Sequence, residues 1–74
     1  MIYSLVFNVE LERPRGDFDQ AVSVLVKLTC RSGKWQGTCE EPPVVTEWSD
    51  GMEQALAGIA RLIMREWQPD GVAP

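Results

Sequence analysis

Residues 33–63 read GKWQGTCEEPPVVTEWSDGMEQALAGIARLI, and how this stretch is parsed decides the fold. Trp35, Gly37 and Cys39 fall at alternate positions, as a strand requires. Pro42-Pro43 breaks that alternation, and from Asp50 onward the apolar residues recur at helical spacing. The reading is a strand, a proline-ended turn and an amphipathic helix in immediate succession. Asp50 is the expected N-cap, with Glu53 three positions on completing a capping box. The helix is expected from Gly51 to about Trp67, burying Met52, Ala55, Leu56, Ile59, Ile63 and Trp67, with Ala60 and Leu62 at the margins. Glu53 near its start and Arg61 and Arg65 toward its end complement the helix dipole. Gln68-Pro69-Asp70-Gly71 stops it, and residues 68–74 are expected to form a flexible tail.

Upstream of this stretch, Val22, Val24, Val26, Leu28 and Cys30 alternate with Ser23, Lys27, Thr29 and Arg31, and the β-branched content argues for a strand. A helix competes for the same residues: Asp17-Phe18-Asp19-Gln20 fits a capping box, and Phe18, Ala21, Val22 and Leu25 would make a stripe. The hairpin loop is either Ser32-Gly33 or Gly33-Lys34. In either register Val22, Val24, Val26, Leu28, Cys30, Trp35, Gly37 and Cys39 share one face, while Ser23, Lys27, Thr29, Arg31, Lys34, Gln36, Thr38 and Glu40 share the other. Patterns that agree across a turn support each other. Cys30 then faces Trp35 or Gly37 and Cys39 faces Val26 or Leu28, which puts the two thiols in different rungs, so they are expected reduced and buried.

Residues 2–12 form a further half-buried strand, with Tyr3, Leu5, Phe7, Val9 and Leu11 on one side and Ser4, Asn8, Glu10 and Glu12 on the other. The segment RPRGDFDQ, residues 13–20, holds Pro14 and Gly16 among charges and reads as a loop. Beyond Glu41, Pro42-Pro43 removes two backbone donors, so pairing either stops there or continues only as an edge through Val44-Val45-Thr46. The fold class is therefore α+β: an antiparallel sheet of three to four strands with one C-terminal helix on one face, a single domain over residues 1–67.

Composition bounds the function. A chain of 74 residues buries only about 60% of its unfolded surface, so the core is thin and a second apolar surface wants a cover. Self-association as a homodimer, or a partner, is expected. Eleven acidic residues against seven basic ones give a net charge of −4, which disfavours direct nucleic-acid binding and favours a basic protein partner. No apolar run approaches the roughly 18 residues of a membrane span, and Glu10 and Glu12 stand where a signal peptide would have its cleavage site. A cytoplasmic location is expected, with no membrane association.

Histidine is absent, which removes the usual general base and the commonest metal ligand. Asp17 and Asp19 read as a solvated turn rather than cation ligands, and Glu40, Glu41 and Glu47 as a charged rim rather than an acid/base set. No enzyme activity, metal or cofactor is expected. Three tryptophans are a high dose for so small a domain. Trp35 and Trp67 fall on core positions, whereas Trp48 either folds over the helix start or protrudes toward a partner. RNA recognition would need aromatics on the basic face, and the face carrying Lys27, Arg31 and Lys34 has none.

The turn and aromatic Gly33-Lys34-Trp35, the bend Pro42-Pro43-Val44-Val45-Thr46 and the helix start Glu53-Gln54-Ala55-Leu56 together resemble the HicB-like antitoxin domain. The likeness covers residues 21–66, with residues 21–31 as the family's first strand. Two positions depart from the pattern: Pro43-Val44-Val45 replaces a Pro-Gly-Cys bend, and Gly51 stands where a threonine commonly opens the helix. The resemblance implies a stand-alone domain without a DNA-binding segment, in which residues 3–11 fill the sheet position of the family's missing last strand. It further implies a partner that is a small basic toxin acting on messenger RNA. Exposure and charge, not a family motif, mark Glu40, Glu41, Glu47 and Trp48 as the partner-binding residues. The alternative role is an orphan structural or assembly subunit, phage- or operon-encoded, that docks through its sheet edge.

Overall fold

The computed structural model describes residues 1–67; the expected tail at 68–74 lies outside the described residues. Four strands, β1 (Ile2–Arg15), β2 (Phe18–Arg31), β3 (Lys34–Glu40) and β4 (Pro43–Val45), form one antiparallel sheet in the order β1-β2-β3-β4. A single helix, α1 (Met52–Glu66), follows and packs on one face. The α+β architecture expected from the alternation is the one observed, with residues 44 and 45 paired as part of a short edge strand.

The three hairpins have chemically distinct loops. Between β2 and β3, Arg31 pairs with Lys34, so Ser32-Gly33 is the loop, and both residues have positive φ (53° and 80°). That is the pattern of a type I′ turn, whose twist matches that of the strands it joins. Between β1 and β2, Arg15 pairs with Phe18 across Gly16-Asp17, with Gly16 at φ 64°. Glu41-Pro42, a cis peptide, links β3 to β4.

Residues 13–20, expected as a loop, are therefore mostly strand. Pro14 does not end β1 because β1 lies at the sheet edge, where a missing N–H faces no partner strand. The result is a long hairpin. Strands of 14 residues span about 46 Å, while a 15-residue helix covers about 22 Å. The Gly16 end overhangs the helix, and every residue from 12 to 21 is exposed.

The buried core comprises Val24, Val26, Leu28, Cys30, Cys39, Ala55, Ile59 and Ile63, with Leu28, Ile59 and Ile63 fully buried. The strand contributors all lie on the face that the two-segment pattern assigned to the core. Cys30 lies opposite Trp35 and Cys39 opposite Val26, and both are free and buried. Gly37 lies on the same face. A β-carbon there would stand 2.9 Å from Ile59 Cβ and 3.1 Å from the Ala55 carbonyl oxygen, so the helix approaches the sheet where a side chain is missing.

One cap assignment and several burial assignments need correction. Asp50 does not cap α1: the N-cap position is Gly51, with no side-chain cap bond, and the Asp50 carboxylate is taken by Lys34. The Asp50 N–H instead donates to Gln54 Oε1 at 3.2 Å. Met52, at the first turn, is exposed, and so are Tyr3 (48%) and Leu5 (39%) on β1. Trp35 and Trp67 are half-buried, Trp35 meeting Tyr3 edge-on at 5.8 Å and Trp67 lying under the Arg13 guanidinium at 5.5 Å.

The helix approaches β3 most closely, and burial on β1 is graded along the strand: Tyr3 and Leu5 are exposed, whereas Phe7, Val9 and Leu11 are half-buried and packed against the core.

Gly37→Ala is expected to lower stability by about 1 to 3 kcal/mol, because the new methyl must push back Ile59 and a helix carbonyl. Chemical denaturation checks this. A variant as stable as the native chain would contradict the close approach.

Candidate functional site: the β4 edge

Residues 40–48, from the last residue of β3 onward, carry all four partner-binding candidates, and the backbone pairing explains how they are spaced. Glu40 pairs with Pro43, Cys39 with Val44 and Thr38 with Val45, and the ladder continues as Thr46 N–H donates to the Gly37 carbonyl at 2.9 Å. Two residues later Ser49 and Trp35 exchange both backbone hydrogen bonds at 2.8 Å. Glu47 and Trp48 thus oppose the single residue Gln36, a two-against-one arrangement of the β-bulge kind.

The bulge turns the Thr46 carbonyl out of the ladder, where it accepts from Gln36 Nε2 at 3.1 Å. The Thr46 hydroxyl replaces it as acceptor for the Gly37 N–H at 2.8 Å. Both polar groups are satisfied, and among the described residues no buried side-chain nitrogen or oxygen lacks a partner. The consequence is that Trp48 stands on the outside of the bulge, 42% exposed.

Glu40, Glu41 and Glu47 are also exposed, but the structure does not gather the four residues at one point. Glu40 and Glu41 flank the proline turn, while Glu47 and Trp48 sit opposite Gln36, four residues back along β3. At strand rise this separates the two pairs by about 13 Å. The arrangement is an acidic edge with an aromatic at one end.

Lys34 and Asp50 close the Trp48 end with an ion pair. The sequence marked both residues for other roles, and only the register of the hairpin against the 46–50 segment brings them together. The Lys34 hydrogen bond, and then its charge, hold the Asp50 carboxyl below its ordinary range. At the far edge of the sheet the Tyr3 phenol is raised above its usual value, first by hydrogen bonding to Cys30.

Among the described residues no three His, Cys, Asp or Glu side chains converge as a metal site, and no helix is long and apolar enough to cross a membrane. Large apolar side chains that the sequence reading did not assign to a surface, Ile2, Val6 and Leu25, lie exposed on the sheet face opposite the helix. An uncharged run over residues 2–9 was the available signal for Ile2 and Val6. Comparison with protein-family models, curated proteins and solved structures finds no match.

The Lys34–Asp50 pair gives a pH dependence with a definite sign. A carboxyl depressed in the folded state adds stability that is fully present above its unfolded pKa, about 3.9, and is lost as pH falls through the folded value. Asp50→Asn should therefore melt slightly below the native chain at neutral pH, the margin being small because both groups are exposed. Melting curves at about pH 2 should coincide. An unchanged margin there would contradict the pairing.

Proposed function

We propose that this domain is a noncatalytic protein-interaction module, of the kind a HicB-like antitoxin domain represents, and that it binds and neutralises a small basic protein. The observation that carries the reading is Trp48, 42% exposed within a bulge beside the exposed Glu47. An exposed tryptophan at a fixed backbone position is what an interface anchor requires, because little side-chain freedom is lost when it is covered.

Glu40 and Glu41, farther along the same edge, supply a rim that speeds encounter with a cationic partner and repels the nucleic acid for which such a partner would compete. The net charge of −4 acts in the same sense. Also consistent with the reading is the run of residues 21–66 through hairpin, proline turn and helix, with β1 lying directly beside β2.

The test is whether a short basic protein is encoded beside this chain and, on co-expression, forms a complex with it whose affinity is then measured at low and high salt. A complex that weakens steeply with salt, about tenfold further with Glu40→Lys/Glu41→Lys, and that is lost with Trp48→Ala, is expected. Absence of a complex, or one indifferent to all three substitutions, would refute the antitoxin-like role. A salt-resistant complex with a larger assembly would instead favour the structural-subunit role.

A further inference from the structure

β1 is one edge of the sheet, and the hydrogen bonds at the opposite edge settle which of its backbone groups are free. Trp35 bonds Ser49 and the Gly37 carbonyl accepts from Thr46, so odd-numbered residues of β3 point toward β4 and even-numbered ones toward β2. Antiparallel pairing alternates along every strand. Carried through the registers of β2 with β3 and of β1 with β2, the alternation directs the odd residues of β1 inward. The N–H and C=O groups of Ile2, Ser4, Val6, Asn8, Glu10, Glu12 and Pro14 face the open side.

Pro14 has no N–H to offer there. The usable donors are those of residues 2, 4, 6, 8, 10 and 12, a set symmetric about Phe7. The side chains on the helix-side face, Tyr3, Leu5, Phe7, Val9 and Leu11, are apolar throughout and symmetric about the same residue. Residues 2–9 carry no charge, and before Pro14 the strand has neither lysine nor proline, the devices that ordinarily keep an edge from pairing.

We propose that the partner of this edge is a second copy of the chain, paired antiparallel about Phe7 to give a continuous eight-stranded sheet with both helices on one face. Phe7 then faces Phe7 of the other copy, Leu5 faces Val9 and Tyr3 faces Leu11, so the exposed Tyr3 and Leu5 gain a cover. On the other face Val6 meets Asn8, Ser4 meets Glu10 and Ile2 meets Glu12. Every free donor from 2 to 12 finds a carbonyl, roughly twelve backbone hydrogen bonds in all.

Centring on Leu5 or Val6 leaves the Glu12 donor unpaired, centring on Asn8 or Val9 brings Pro14 into the ladder, and centring on Glu10 or Glu12 sets like carboxylates directly opposite each other. The surface is separate from the one that carries Trp48, so this inference and the proposed function can fail independently.

Sedimentation equilibrium of the full chain, with circular dichroism to verify folding, tests the register. The native chain is expected as a dimer. Ser4→Glu, which sets two carboxylates against each other twice per dimer, should weaken association about tenfold or more, and Ser4→Glu/Glu10→Lys should restore it. Val6→Pro removes an open-side N–H without touching the β1–β2 ladder and should give a folded monomer. A native chain that stays monomeric, a Ser4→Glu defect that the second substitution does not restore, or a folded Val6→Pro dimer would each overturn the proposal.

Discussion

At Gly37 the helix comes within 3.1 Å of where a β-carbon would stand, and much of the architecture depends on that contact. Because residue 37 has no side chain, Ala55 and Ile59 settle onto the β3 backbone, and Ile59 and Ile63 become fully buried against β2 and β3. Each such side chain contributes about 1.5 to 3 kcal/mol on leaving water. Seating the helix over β3 also determines what it cannot reach. Tyr3 and Leu5 on β1 stay partly in water, while Phe7, Val9 and Leu11 farther along the same strand pack against the core.

The same seating makes the two sheet edges unlike. The β4 edge is three residues long, starts at a proline and ends in a bulge, so it offers little backbone for pairing and presents side chains instead: Trp48, Glu47 and, past the turn, Glu40 and Glu41. The β1 edge is 14 residues long and offers backbone. Side-chain recognition is tunable by charge and salt, whereas strand addition gives register and symmetry. In the two proposals made above, the β1 edge serves self-association and the β4 edge a different partner.

The sequence was most legible where two patterns checked each other. Val22 through Cys30 and Trp35 through Cys39 agree on a common face across a glycine turn, and that agreement sufficed to assign the core face and to set the two cysteines in different rungs, whereas the competing helix over residues 17–25 fell only with the observed strand. Legibility failed where the outcome depends on which neighbour a group meets. Pro14 reads as a breaker because nothing local tells which side of the strand its missing N–H would face. Asp50 reads as a cap because nothing local shows that Lys34, sixteen residues earlier, competes for the carboxylate. The exposure of Glu40, Glu41 and Glu47 followed from charge alone; their separation to two ends of an edge follows from the Glu47–Trp48 bulge, a matter of register between distant segments.

Proton–proton contacts by nuclear magnetic resonance at Gly37 test the central claim most directly. If the helix rests on the bare backbone of β3, the two Gly37 α-protons differ sharply in environment, and the one facing the helix shows strong cross-peaks to the Ile59 side chain. Cross-peaks from Ile59 to the β1 side chains Leu5 and Phe7 instead, with none to Gly37, would place the helix over the other half of the sheet and contradict the account.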